Sequence, residues 1–323
     1  MKAIPYEPCL KATWNQTVDA SRNGTFLFNR AYMDYHQTRF EDVSLLFADD
    51  NGRTVGLLPA NIDFKTHSVH SHGGLTYGGL LLLPEVTLVQ AADMLRLTAE
   101  HYLKKAGVET LVTKPVPYIY HRYPAQEELY WLYRAEAKLS ARTVAQTIEL
   151  ANPEHAKLWK RKIKKQATEG LSLHEGEANR LRDYWSIVED VLQTRHATRP
   201  VHSLGEIELL AHRFPNHIRL FTVSNESDCT IAGCIVFVTD TTAHMQYMEA
   251  NAESRQRTAL DWLIAKLAKQ FAEEGLQYLD FGISTEKGGR ILNEGLTFQK
   301  EGFGGRAVCY DTYTVSLSKL VTI

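Results

Sequence analysis

The sequence predicts an α/β protein of the mixed α+β class, in which one arrangement of strands and helix occurs twice. The first copy spans residues 43–114 and the second spans residues 218–280. Each copy reads as two strands joined by a tight turn, a third strand, a helix and a final strand, although the copies share almost no residues. We therefore expect two domains, over residues 1–138 and 139–323, each a largely antiparallel mixed sheet flanked by helices.

The elements of the first copy follow from a turn signal and the apolar pattern around it. Asp50, Asn51 and Gly52 separate two apolar runs, and an Asn-Gly pair readily adopts the positive φ angles of a hairpin turn. Gly107 follows an amphipathic run, as glycine commonly does at a helix end. The predicted strands are 43–48, 54–62, 75–83 and 110–114, and the predicted helix is 87–106.

The second copy and the connecting segments are assigned in the same way. The predicted strands are 218–224, 231–239, 243–249 and 278–281, with a helix at 258–274. Further helices are predicted at 8–21, 29–39, 124–134, 153–170, 177–193 and 203–213. A strand at 139–150 is expected to carry the chain from the first domain into the second.

The amino-acid composition of the chain indicates which classes of protein it can belong to. The chain has 323 residues, of which 44% are hydrophobic, so it can bury sizeable cores. Its 36 basic and 38 acidic residues give a formal charge of −2, which predicts no general attraction to DNA or to anionic membranes. No stretch approaches the ~20 apolar residues that cross a bilayer, and the start lacks the order of a secretory signal. We therefore expect a cytoplasmic protein without a membrane span.

Several other chemistries lack their sequence patterns. The four cysteines occur without a C-x-x-C pair, which favours reduced structural thiols over disulfides or a zinc site. The chain has no Gly-x-Ser-x-Gly elbow, no Walker loop, no dinucleotide fingerprint and no His-Glu-x-x-His. We expect no metal.

A phosphate site is predicted where the strand at 243–249 gives way to the following helix. The free N–H groups and the positive dipole end at a helix start suit a phosphate or pyrophosphate, and nearby arginines could add charge. An ordinary loop with solvated arginines explains this segment equally well. The candidate cofactor-binding residues are Ser254, Arg255, Gln256, Arg257 and Thr258.

The order of a strand, an arginine-rich turn, a long helix and an Asp280-Phe281-Gly282 strand resembles the core of the GNAT acyltransferases. The doubled arrangement resembles their FemAB branch, including the BioF2-like (CelD-like) acetyltransferase domain. The resemblance is best over residues 139–313. It implies two tandem GNAT-like domains, with the active cleft between them and the chemistry mostly in the second.

The resemblance implies acetyl-CoA or another acyl-CoA as co-substrate. GNAT enzymes usually carry Arg/Gln-x-x-Gly-x-Gly/Ala at this loop, whereas here Thr258 stands at the first glycine position and Leu260 at the second small position. FemAB relatives that use aminoacyl-tRNA also lack the motif. The donor is therefore an acyl-CoA or an aminoacyl-tRNA, and the basic run at 157–165 could contact tRNA, although a solvated helix face is the simpler interpretation.

Direct acyl transfer needs a proton acceptor and groups that stabilise the developing oxyanion. Glu249, Glu286 and Glu301 are candidate bases, and surface ion pairs are the alternative for the last two. Ser284 is a further catalytic candidate in the glycine-rich segment after the last buried strand. Asp280 interrupts an apolar strand, so it is expected to be hydrogen-bonded, as an acceptor for loop N–H groups or by orienting a base.

Substrate-binding candidates come from four places in the chain. The loop near Pro200 could clamp an anionic acceptor, or its charges could complement a helix end. The glycine-rich segment at 70–79 could approach a ligand, or could be a plain turn. The candidates are Arg195, His196, Arg199, His72, Tyr77, Tyr247, Asn293 and Lys300.

The predicted function is transfer of an acyl group to an amine or hydroxyl of a small or cell-envelope precursor acceptor. A sugar, or a peptidoglycan or polysaccharide precursor, is the acceptor class that the FemAB resemblance implies. Two alternatives remain: an aminoacyl-tRNA-dependent aminoacyltransferase, and a non-catalytic relative that binds a sugar or nucleotide.

Overall fold

A computed structural model of the chain describes residues 1–105, 107–152, 163, 168–196 and 198–323. The chain forms two compact units. The first contains Met1–Thr143, Thr285–Ile291 and Cys309–Ile323, and the second contains Val144–Ser284 and Leu292–Val308. The boundary between the units at residues 143/144 falls inside the strand Lys138–Glu149, and two later segments of the chain belong to the first unit. The division into domains at 138/139 stays a prediction.

The first unit contains short strands and helices that precede residue 135. Its strands are β1 (Lys2–Pro5), β2 (Glu41–Asp42), β3 (Leu45–Ala48), β4 (Thr54–Leu58), β5 (Asn61–Asp63), β6 (Ser68–His70), β7 (Leu81–Leu82) and β8 (Thr110–Thr113). Its helices are α1 (Lys11–Ala20), α2 (Arg30–Met33), α3 (Leu88–Tyr102) and α4 (Glu127–Arg134), with 3₁₀ turns at Pro8–Leu10, Phe26–Phe28, Asp34–Arg39 and Tyr118–Tyr120.

Antiparallel pairing joins β1, β3, β4 and β7 in that order. The predicted hairpin is confirmed, since β3 pairs with β4 and Gly52 adopts φ +81° at the turn. The helix α3 begins at a Thr87 capping box with Gln90 and buries Met94, Leu95 and Tyr102 in the core of this unit.

Three predicted elements of the first unit differ in the structure. The expected strand at 54–62 is divided into β4 and β5. The expected strand at 75–83 is reduced to β7, because the glycines before it turn the chain and Gly79 adopts φ +79°. The expected helix at 29–39 is α2 followed by a 3₁₀ turn, with a kink at His36.

The remaining elements follow along the chain. The strands are β9 (Lys138–Glu149), β10 (Ser172–Glu175), β11 (Ile218–Ser224), β12 (Thr230–Val238), β13 (Thr242–Ala250), β14 (Tyr278–Ile283), β15 (Thr285–Glu286), β16 (Ile291–Leu292) and β17 (Arg306–Ser316). The helices are α5 (Ala178–His196), α6 (Leu204–Arg213), α7 (Ala252–Gln256), α8 (Ala259–Glu273), α9 (Glu294–Gly302) and α10 (Leu317–Leu320), with a 3₁₀ turn at Lys287–Gly289. Most of the predicted helix at 153–170 lies outside the described residues.

The sheet of the second unit has the order β10-β11-β12-β13-β14-β9. The helix α8 packs on one face of it, because Ala259, Leu263, Leu267 and Phe271 recur every four residues and are fully buried. Each large apolar side chain buried in this way contributes about 1.5–3 kcal/mol relative to an exposed one.

The strands β13 and β14 are parallel neighbours that separate along their length. Pairing covers Thr242–His244 and Tyr278–Asp280, after which β13 continues to Ala250. Gly282 in β14 adopts φ +68°, and the register between β14 and β9 shifts beside it. A left-handed residue turns β14 out of regular strand geometry, so the two strands diverge toward their carboxyl ends.

Within the part of the chain that the structure describes, no helix combines the length and the apolar character needed to cross a membrane.

Candidate active site

A cleft of about 560 Å³ opens in the second unit, where β13 ends and α7 and α8 begin. The helix α9 and Val191 of α5 complete its walls. Its polar lining consists of Glu249, Ser254, Arg255, Thr258, Asp261, Asn293 and Gln299. The cleft therefore brings together the strand end, the arginine-rich turn and the segment near residue 293 that the sequence singled out.

The start of α8 has the properties of an anion site. Its N-cap residue Thr258 adopts φ +50° and ψ 32° and makes no side-chain capping bond. The first N–H groups of an α-helix lack intrahelical acceptors, and the helix dipole is positive there. Ser254 and Thr258 both line the cleft, and their hydroxyl oxygens are buried and have no hydrogen-bond partner among the described residues.

The short helix α7 places Ser254 beneath this helix start. Asn251 caps α7, since its side-chain oxygen accepts a bond from the Ser254 N–H at 3.0 Å. The chain then reverses at Thr258 through its left-handed conformation, and Ser254 is fully buried. Thr258, at the position of the first motif glycine, thus adopts a left-handed conformation that glycine accepts readily.

The two predicted arginines lie in different surroundings. Arg255 is exposed and lines the cleft. Both terminal nitrogens of Arg257 donate to the Glu226 carboxylate at 2.8 Å, and one lies 3.7 Å from Glu253. Arg257 and Gln256 do not contribute to the lining of the cleft.

Two carboxylates also line the cleft. The backbone N–H of Glu249 donates to the Tyr184 hydroxyl at 3.2 Å, which fixes the end of β13 against α5. Asp261 lies in the first turn of α8. Among the described residues, the lining has one cationic side chain, Arg255, against two carboxylates, so its side-chain charge is negative. An anionic group bound here therefore depends on backbone N–H groups and hydroxyls.

The helix α9 forms the opposite wall of the cleft. Asn293 caps it, since the side-chain oxygen accepts a bond from the Leu296 N–H at 3.0 Å. The Asn293 N–H donates to the Ser284 carbonyl at 2.9 Å, which ties the helix start to the chain after β14. Phe298 is 81% exposed beside the cleft.

Lys300 anchors α9 from beneath. Its ammonium is buried and donates to the carbonyl oxygens of Gly282 and Ile283, both at 2.8 Å. Burial lowers the pKa of Lys300 to about 8, and the nearby Asp280 carboxylate opposes that effect. Lys300 therefore holds the end of β14 and does not face the cleft.

Three other predicted catalytic residues lie outside the lining of this cleft. Ser284 is buried, and its hydroxyl donates to the Gln146 side-chain oxygen at 2.6 Å. Glu286 and Glu301 are exposed. Among the three predicted bases, Glu249 is the one that lines the cleft.

The remaining substrate-binding candidates are dispersed. Tyr247 is buried, and its hydroxyl lies 2.9 Å from Nδ1 of His202. Arg199 is exposed, whereas the side chains of Arg195 and His196 lie outside the described part of the structure.

In the first unit, His72 and Tyr77 are both buried. The His72 ring stacks on His36 at 5.4 Å, and burial lowers the pKa of His72 to about 3. The Tyr77 hydroxyl donates to the Thr25 hydroxyl at 3.3 Å. Both side chains therefore contribute to the packing of this unit.

Sequence reasoning missed a polar cluster where β13 and β14 separate. Nδ1 of His244 lies 2.6 Å from one Asp280 oxygen, and the Thr147 hydroxyl donates to the other at 2.8 Å. The expectation that Asp280 accepts loop N–H bonds is therefore incomplete, since it accepts from two side chains. The missing signal was the parallel register that places His244 opposite Asp280.

Among the residues with described positions, no group of three or more histidine, cysteine, aspartate or glutamate side chains could hold a metal ion.

Comparisons with known proteins agree with this geometry. Residues 154–288 match the family model described as an acetyltransferase (GNAT) domain. No curated protein matches the chain. Among solved structures, FemX is similar over 100% of this chain and 99% of its own, with a TM-score of 0.69 at 10% identity.

Two further solved structures have related folds. L-PGS from Bacillus licheniformis is similar over 96% of this chain and 91% of its own, with a TM-score of 0.57 at 10% identity. A tandem GNAT protein from the clavulanic acid biosynthesis pathway is similar over 98% of both chains, with a TM-score of 0.53 at 12% identity. The predicted fold class and enzyme class are confirmed, and it is residues 154–288 of the chain that match an acetyltransferase (GNAT) domain.

Proposed function

We propose that this protein transfers an acyl group from an acyl-CoA, such as acetyl-CoA, to an amine or hydroxyl of a small or cell-envelope precursor acceptor. The observation that carries the proposal is the start of α8, where Ser254 and Thr258 line the cleft and their buried hydroxyls have no hydrogen-bond partner among the described residues. Hydroxyl donors, backbone N–H groups and a helix dipole together suit the pyrophosphate of CoA.

The backbone at Thr258 supports this donor although the family glycine is absent. Glycine is common at such a loop because it accepts positive φ angles and lets the backbone approach a phosphate. Thr258 already adopts φ +50°, so the helix start has the required shape. Arg255 at the edge of the cleft adds one positive charge.

The reaction class needs no covalent enzyme intermediate. A neutral amine or a hydroxyl attacks the acyl carbonyl, the new C–N or C–O bond forms, and the C–S bond of the thioester breaks. The proposal places the anionic part of the donor in the cleft. Glu249, at the end of β13, is the predicted base that lines the cleft.

A second candidate function is supported by the carboxylates of the cleft. Glu249 and Asp261 outnumber Arg255 in the lining, and this charge suits a donor whose acyl group carries an ammonium, as an aminoacyl-tRNA does. The fold similarity to FemX is compatible with this donor under the FemAB resemblance. A cell-envelope precursor as acceptor rests on the same resemblance.

The donor site is tested by removing one hydroxyl. We expect Ser254→Ala to weaken CoA binding about tenfold, because hydrogen bonds to charged groups contribute about 1.5–3 kcal/mol. Ser186→Ala is the matched control, since Ser186 is exposed on α5 and donates to a carbonyl of its own helix. Titration calorimetry gives the dissociation constants, and thiol release with a panel of amines and sugars reports transfer.

The outcomes separate the candidate functions. Equal CoA affinity in the wild type and in Ser254→Ala would contradict the proposed donor site. If no acyl-CoA releases thiol, while charged tRNA binds with an affinity that falls steeply with salt, the aminoacyl-tRNA function replaces it. Binding of sugars or nucleotides without any transfer would favour a non-catalytic relative.

A further inference from the structure

A histidine lies at the point where β13 and β14, two neighbouring strands of the second unit, separate. His244 is the last β13 residue that pairs with β14, and its partner in the register is Asp280. The His244 side chain is 15% exposed, whereas Asp280 is completely buried. The two side chains face each other at 2.6 Å, so a buried carboxylate holds a partly exposed imidazole.

The Asp280 carboxylate sets the tautomer of His244. An ionised carboxylate can only accept hydrogen bonds, so Nδ1 of His244 carries the proton that it donates to Asp280. Nε2 is then the basic nitrogen of the neutral ring. The Thr147 hydroxyl donates to the other Asp280 oxygen at 2.8 Å and holds the carboxylate in place.

Gly282 leaves room beside the basic edge of the ring. A Cβ atom at this position would lie 3.1 Å from Cε1 and 3.8 Å from Nε2 of His244. Gly282 is also the left-handed residue at which β14 turns away. The same residue therefore opens the gap between the strands and leaves space at the imidazole.

The distance from the donor site suits an extended donor. His244 and Glu249 are five residues apart on β13, which corresponds to roughly 15 Å along an extended strand. A donor whose anionic end binds at the start of α8 would reach the point of divergence with a long arm. The thioester of an acyl-CoA lies at the far end of such an arm from its pyrophosphate.

We infer that His244 is the proton acceptor for the attacking group and that Asp280 and Thr147 are its positioning residues, an assignment that rests on the proposed acyl transfer. As the amine or hydroxyl attacks the carbonyl carbon, its proton passes to Nε2 and the C–S bond breaks. The imidazolium then releases the proton to the leaving thiolate or to water. The Asp280 carboxylate stabilises the imidazolium in between.

Groups from β14, β9 and α9 face this cluster. Asp280 comes from β14 and Thr147 from β9, and the buried ammonium of Lys300 on α9 interacts with Asp280. A change at Thr147 leaves all these charges in place. It therefore tests the positioning of the carboxylate without removing a charge from the core.

The experiment compares His244→Gln, Glu249→Gln and a control, His212→Gln, in which an exposed histidine of α6 is changed. For His244→Gln we expect kcat to fall at least 100-fold, with a CoA dissociation constant within about twofold of the wild-type value. The acidic limb of the pH profile of kcat/KM should disappear in this variant. His212→Gln should behave as the wild type.

Thr147→Val tests the assignment if His244→Gln does not fold. We expect a lower kcat and a shifted acidic limb in Thr147→Val, and recovery of both in Thr147→Ser, which restores the hydroxyl. A purely structural role would lower the melting temperature without moving the pH profile.

Each outcome decides the assignment. If the wild type transfers acyl groups while His244→Gln keeps its rate and pH profile and Glu249→Gln loses them, the base is Glu249 and the assignment of His244 is wrong, although the proposed function stands. An unshifted profile in Thr147→Val would remove Thr147 as a positioning residue. If the wild type transfers no acyl group from any donor, the proposed function fails and the assignment fails with it.

Discussion

At the scale of the residue, Thr258 and His72 are two of the six described residues other than glycine that have a positive φ angle. Thr258 and His72 have φ angles of +50° and +61°, in the left-handed region that glycine and asparagine accept most readily. Thr258 starts the helix at the proposed donor site, and His72 is buried in the first unit. At both positions, substitutions can separate the effect of the backbone conformation from the effect of the side chain.

For Thr258, we compare Thr258→Gly with Thr258→Ala. Both variants lack the hydroxyl, but glycine accepts φ +50° and alanine does not. We expect the glycine variant to be more stable than the alanine variant by about 1 kcal/mol, as measured by urea denaturation. The alanine variant being the more stable one would mean that the left-handed conformation is not kept.

For His72, we expect a contribution to acid sensitivity. Burial lowers the pKa of His72 from 6.5 to about 3, so between these pH values the unfolded state binds a proton that the folded state does not bind. Stability is therefore complete above pH 6.5 and is lost as the pH falls toward 3. Between these pH values, the free energy of unfolding of the wild type should fall by about 1.4 kcal/mol more per pH unit than that of His72→Asn.

Asparagine suits this test because it tolerates a positive φ angle and does not titrate. Denaturant unfolding at several pH values between 4 and 7 gives the two slopes. His212→Asn, at an exposed histidine, should keep the wild-type slope. If the free energy of unfolding has the same pH slope in the wild type and in His72→Asn, then His72 is not kept neutral in the folded state.

At the scale of the element, polar side chains at both ends of α9 hold this helix, which forms one wall of the cleft. Asn293 caps its start, and near its end Lys300 donates to two carbonyl oxygens where β14 leaves its regular pairing. These carbonyls belong to the diverging part of the strand, so a side chain satisfies them in place of a neighbouring strand.

Removing the ammonium should loosen this wall. We expect Lys300→Met to lower the free energy of unfolding by about 1–3 kcal/mol, since two buried carbonyls lose their donor, and to speed hydrogen exchange of the α9 amides. The control Lys269→Met changes a lysine of α8 that is 75% exposed. Unchanged exchange in α9 would mean that its anchoring depends on other contacts.

At the scale of the whole molecule, the repeat in the sequence predicted the fold class and the similarity to tandem proteins. Local signals were sufficient for the hairpin at Gly52 and for α3 and α8, because turn residues and helical periodicity act over a few residues. The short strand β6 and the last strand β17 were missed. Their pairing partners are distant in sequence or their strands are too short to show a pattern.

The candidate site was predicted in part. The cleft contains Glu249, Ser254, Arg255, Thr258 and Asn293, which local features of a strand end, a helix start and a glycine-rich segment had indicated. Lys300 and Ser284 were also singled out, but their bonds to Gly282, Ile283 and Gln146 could not be foreseen from residue type. Whether a polar side chain faces a cleft or the core depends on packing from other elements.

The sequence by itself determined the order of the main elements and the position of the arginine-rich turn, because these depend on residues that are near one another in the chain. The reaction class was inferred from the family resemblance. The tertiary structure alone decided that Arg257 pairs with Glu226, that Thr258 starts α8 in a left-handed conformation, and that His244 meets Asp280. The physical reason is that strand register and side-chain burial arise from contacts between distant segments, which leave no local pattern.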